Sequence, residues 1–116
     1  MDELMRLCRR LPQALSVALC TLEREDTADL EEIRLYAGAG AELVIGGQSR
    51  RLDVSVDMQE LLAALSGQAL YRCERQMAEG YIPLDGGHRA GVCGQMVCQT
   101  DGTWRMTQVS SVCIRI

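Results

Sequence analysis

Apolar residues at positions 4, 7, 8, 11, 15, 18, 19 and 22 recur three and four apart, which is the spacing of one helical face. Pro12 interrupts the run and fits the first turn of a second helix, where its missing N–H costs nothing. The pattern therefore predicts two helical pieces, 2–10 and 12–23, with "EREDTADLEE" as a polar, acidic connector. At Glu32 the period shortens to two. "EIRLYAG" alternates as a strand with Ile33 and Leu35 on one face and Arg34 and Tyr36 on the other. "ELVIGGQ" reads as a second strand ending in a Gly46-Gly47 turn, and "SRRLDVSV" as a third. Asp57 with Glu60 has the form of a capping box, and Gly67 closes the helix that follows. A second short helix, "QALYRCERQMAEG", closes on Gly80.

Beyond Gly80 the pattern is strand and turn throughout. "YIPL" is extended, with Pro83 suited to a sheet edge, and "DGG" (Asp85, Gly86, Gly87) is a tight turn. "HRAGVCGQMVC" is a long strand whose glycines suggest a bulge or a close backbone approach. Asp101-Gly102 signals a two-residue hairpin, after which "TWRMTQV" and "VCIRI" complete a meander around Ser110-Ser111. The fold class expected is α+β, N-terminal helices followed by a largely antiparallel sheet with two short helices inserted. Ending on "CIRI", with no polar tail, the chain reads as a domain cut from something larger.

At 116 residues the chain fits one core, and 47% apolar with 24% charged residues is ordinary for a globular protein. No apolar run approaches the ~20 residues needed to span a bilayer, and no secretory signal is present, so a cytoplasmic location is expected. All 12 cationic side chains are arginine, which excludes a lysine Schiff base or a P-loop lysine. With a net charge of −4, general nucleic-acid binding is not expected. Cys8, Cys20, Cys73, Cys93, Cys98 and Cys113 stand singly with no C-x-x-C spacing, and they read as reduced, mostly buried thiols.

The stretch "YIPLDGGHRAGVCGQ" holds the chain's one histidine, His88, and invites three chemical readings. A phosphate loop needs a glycine turn leading into a helix, and this one leads into a strand. A metal site would gather His88, Cys93 and Cys98 with Cys113, but residues five apart on a strand face opposite ways unless a bulge intervenes, so no metal is assigned. A Cys–His nucleophile pair fails on the same alternation between His88 and Cys93, so no catalytic residue is assigned. Arg89 differs in kind, because it follows a turn on a strand cleared by glycine, where a guanidinium suits phosphate or carboxylate. Arg34 and Arg115 each lie between apolar strand residues and so point away from the core. The plain alternative for all three is a solvated strand face.

"EIRLYAGAGAELVIGG", "GYIPLDGGHRAGVCGQMV" and "VSSVCIRI" together resemble the N-terminal region of the stage III sporulation protein AA family. That region carries an E-I-R-L start, a G-[FY]-I-x-L-x-G-G-H-R-x-G-x-x-G core and an S-S-x-x-I-R-I close. The resemblance runs from Glu32 to Ile116 and implies kinship with type II and type IV secretion ATPases. Residues 1–30 stay the helical segment that the apolar spacing predicts, and the resemblance implies a PAS-like accessory domain 31–116, with the ATPase core and its P-loop lying beyond. It further implies packing on that core and on like subunits of a hexamer, and service to the membrane proteins of the sporulation channel from the mother-cell cytoplasm. ATP and magnesium are implied for a full-length member and no cofactor for this chain, which alone should hydrolyse nothing. Carried over by position, Arg89 and Arg115, then Arg34, would stand near nucleotide, while Gly86, Gly87, Asp101 and Gly102 shape turns. The chain departs from the family pattern at Ala39-Gly40, Thr107-Gln108 and Cys113. Two other classes stay open on the residues alone: an interaction module docking through the N-terminal helices, and a small thiol or metal protein.

Overall fold

The computed structural model describes residues 3–68, 70–84 and 87–116. Its elements are α1 (Glu3–Cys8), α2 (Gln13–Cys20), α3 (Arg24–Ala28), β1 (Leu30–Tyr36), β2 (Gly40–Ile45), β3 (Gln48–Ser55), α4 (Met58–Leu65), α5 (Leu70–Glu79), β4 (Tyr81–Pro83), β5 (Arg89–Cys98) and β6 (Trp104–Arg115). The strands form one sheet in the order β3-β2-β1-β6-β5-β4, antiparallel at every junction. This is the α+β architecture expected, with β1 and β6 side by side at the centre.

Alternation sorts the strands into two faces. Ile33, Leu35, Leu43, Ile82, Ala90, Val92, Val112 and Ile114 are buried and share one cluster with helix residues. From the N-terminal segment come Leu7 of α1, Leu11 of the link, and Leu15 and Leu19 of α2, spaced four apart, and from α4 and α5 come Leu61, Leu62, Leu65 and Met77. Each such leucine removed from water is worth about 1.5–3 kcal/mol, so the helices are bound to the sheet by the same term that closes the core. The Asp57 carboxylate accepts from the N–H groups of Gln59 and Glu60 and starts α4, while Gly67 ends it with φ +66. Gly46 and Gly47, both at positive φ, make the two-residue link between β2 and β3.

Four expectations are corrected. The acidic connector contains a short helix, α3, tied to edge strand β3 where Arg50 donates to Asp26 at 2.7 Å. Ser110-Ser111 does not divide two strands, because β6 runs unbroken from Trp104 to Arg115. The extra residues are absorbed as bulges opposite Cys93, Gly94 and Met96, and the Ser110 hydroxyl donates to the Cys93 carbonyl at 3.1 Å. The Asp101-Gly102 hairpin closes with a longer loop, Gln99 N–H donating to the Thr103 carbonyl at 2.7 Å, and only Gly102 of that pair takes positive φ. Finally, none of the six thiols is fully buried: Cys20, Cys93 and Cys98 are exposed, and Cys8, Cys73 and Cys113 half-buried. Cys93 and Cys113 lie on the outward parity of their strands, and Cys98 lies beside the hairpin tip. The turn expected at Asp85 and Gly86 lies outside the described residues; Gly87 takes φ +82.

Candidate functional site

The face of the sheet opposite the apolar cluster is built from the residues between the buried ones. Register sets them in rows. One row carries Val44, Glu32, Arg115 and Arg89 across β2, β1, β6 and β5. The next carries Arg51, Glu42, Arg34, Cys113, Gly91 and Tyr81 from β3 to β4. The structure thus brings Arg34, Arg89 and Arg115 onto one face, as the alternation required of Arg34 and Arg115.

Their surroundings divide them. Arg34 is held on both sides: its Nε donates to Glu32 Oε2 at 2.9 Å and its Nη1 to Glu42 Oε1 at 3.0 Å. This hydrogen bond from Arg34 holds the Glu32 carboxyl below the usual carboxylate range, and the two glutamates, Glu32 first, raise the guanidinium further. Cys113 also donates its thiol toward Glu32 Oε2, at 3.7 Å. Burial first, and then the Glu32 charge, pushes that thiol up.

Arg115 touches Glu32 Oε1 only loosely, at 3.6 Å with its side chain 82% exposed. Arg89 lies directly across from Arg115, and its guanidinium carbon sits 4.7 Å from the centroid of the Tyr81 ring. The cation–π contact orients Arg89 without neutralising it. Gly91, next on the same face of β5, leaves open backbone beside the pair. Two guanidinium groups opposed across a strand pair repel, and an anion between them removes that repulsion.

The other candidates scatter. His88 is half-buried beyond the turn, and its carbonyl accepts from the Leu84 N–H at 2.8 Å. The bulges do occur beside Gly94, but their extra residues lie on β6, so Cys93 and Cys98 keep opposite parity on β5. Among the described residues no group of three or more His, Cys, Asp or Glu side chains is placed to hold a metal ion. Asp101 accepts from the Thr103 hydroxyl and N–H, which lowers its pKa and marks it as a turn residue. Sequence reasoning missed the Glu32 and Glu42 clamp and the Tyr81 platform. Opposite charges on the outward positions of "EIRLY" and "GAELVI" carried the first signal, and no local pattern carried the second.

A family model described as "Sporulation stage III, protein AA" matches residues 6–116. A "Stage III sporulation protein AA" of Bacillus subtilis (strain 168) is 28% identical over 109 residues, covering 91% of this chain and 36% of the relative's length. The chain thus spans about a third of that relative. No solved structure matches it. No helix among the described residues is long and apolar enough to cross a membrane.

Proposed function

The chain belongs to the stage III sporulation protein AA family, and on that premise we propose that it serves as the accessory N-terminal part of a secretion-like ATPase. In this reading residues 31–116 form the PAS-like accessory domain and residues 1–30 buttress it. The open face of the sheet packs against a motor domain, within a hexamer of like subunits, on the cytoplasmic side of the sporulation channel. ATP and magnesium are held by the motor domain, and Arg89 and Arg115 approach the phosphates from this side. Arg34 has a different part: fixed between Glu32 and Glu42, it keeps the row in register.

The observation supporting this reading is the Arg89–Arg115 pair, opposed in register and exposed beside Gly91, with the loose Arg115–Glu32 contact as its one carboxylate partner among the described residues. Such a pair does little until phosphate charge develops beside it, so the 116-residue chain alone is expected to hydrolyse no ATP. Titrating inorganic pyrophosphate into the labelled chain, with the arginine Nε–H resonances followed by NMR, tests the assignment. Arg89 and Arg115 should shift together while Arg34 stays put. Equal shifts at every surface arginine, Arg51 included, would mean diffuse ion screening and defeat it.

A further inference from the structure

We infer that the distal half of β6 is a docking edge that takes an extended, acid-ended peptide segment of a partner protein as an added strand. β1 pairs with β6 only from Ser111 to Arg115, and the last backbone bond across that seam runs from Ala37 N–H to the Ser110 carbonyl at 2.9 Å. There β1 ends and the chain turns back into β2. From Trp104 to Val109, β6 is paired with β5 on one side, and among the described residues it has no backbone partner on the other. Alternate residues of an antiparallel strand direct their N–H and C=O groups to each side, so this stretch presents an unpaired edge in the middle of the sheet order.

The edge faces a groove. A space of about 570 Å³ runs along five consecutive residues, Arg105 to Val109, with α4 and α5 as its opposite wall. Met58, Leu62, Met77, Met106 and Val109 give it an apolar lining, and three methionines let it adapt to side chains of different shape. A helix laid in this groove would leave the β6 backbone groups unpaired. An added strand satisfies them and sets alternate side chains on the methionines.

Charge selects the kind of strand. At the Trp104 end, Glu74, Arg75 and Arg105 come together, and Arg105 Nη2 is only loosely held by Glu74 Oε1 at 3.5 Å. Two arginines against one glutamate leave a local positive excess on a chain whose net charge is −4. A carboxylate at one end of the incoming segment complements it. Trp104, 58% exposed, stands beside this end as an apolar cover. None of these residues belongs to the arginine face, so the inference stands or falls apart from the nucleotide reading.

The test uses a panel of synthetic peptides of about eight residues, alternating valine or isoleucine with threonine and ending in aspartate. They are added to the labelled 116-residue chain while amide shifts and hydrogen exchange are followed. The expected result is protection of amides within Trp104–Val109, with affinity falling at least about tenfold when alternate peptide amides are N-methylated. Arg105→Glu should transfer the preference to lysine-ended peptides. If that variant misfolds, the N-methyl comparison on the unsubstituted chain still decides. Three results would each overturn the inference: no peptide of the panel binding below about 5 mM, binding indifferent to N-methylation, or the same amides becoming protected with rising protein concentration and no peptide. The last would assign the edge to a second copy of the chain.

Discussion

Arg34 and Arg89 lie on one face of the sheet and are held by opposite means, the first by two carboxylates and the second by an aromatic ring. Removing the Glu32 charge should therefore loosen Arg34 and Arg115 together. The Glu32 pKa is lowered in the fold, so its contribution is present above the unfolded carboxylate pKa and is lost as pH falls through the folded one. Melting temperatures at about pH 7 and about pH 3 should fall further apart in the unsubstituted chain than in Glu32→Gln. Identical acid sensitivity in the two would mean that the clamp adds nothing. Cys113 gives a second check on the same network. Half-buried, with its thiol pushed up, it should be alkylated by iodoacetamide at least about tenfold more slowly than exposed Cys93, as followed by mass spectrometry.

Elements built from local signals were legible, and those set by long-range pairing were not. The Asp57 cap, the Gly67 stop, the Gly46-Gly47 turn and the edge position of Pro83 each rest on chemistry within a few residues, and each is where the sequence placed it. β6 was misread because Ser110-Ser111 resembles a turn locally. Its continuity comes from β5, against which Ser110 bulges while Ser111 pairs with Cys93, and no neighbour in sequence reports that. The candidate site shows the same division. The outward parity of Arg34 and Arg115 follows from their apolar neighbours, whereas the Arg89–Tyr81 contact depends on the β4–β5 pairing. Gly94 marks where β5 and β6 approach most closely, since a Cβ there would sit 2.5 Å from the Gln108 carbonyl oxygen and 2.9 Å from the Val109 Cα. Backbone cannot swing aside as a side chain can, so Gly94→Ala should cost about 1–3 kcal/mol in a denaturant titration. A neutral result would show the bulges to be soft.

At the scale of the whole molecule, the N-terminal helices are part of the fold and not an appendage, because Leu7, Leu11, Leu15 and Leu19 lie in the cluster that carries the inner face of the sheet. Leu15→Ala, at a site with 0% exposure, should lower stability by about 2–5 kcal/mol, and deletion of residues 1–23 should unfold the sheet and not merely remove a docking surface. With every helix contribution drawn to one face, the other is left to charge: four arginines and two glutamates in two adjacent rows. In the proposed function, Arg89 and Arg115 on that face supply charge to a nucleotide held by the motor domain. ATP turnover by this chain joined to the remainder of a family member, with Arg89→Ala compared against Arg51→Ala, tests it most directly. Arg89→Ala should lower kcat by about 10³-fold, and Arg51→Ala, whose side chain is not assigned to phosphate, should stay within about twofold of the unsubstituted protein. Turnover by Arg89→Ala equal to that of the unsubstituted protein would contradict it.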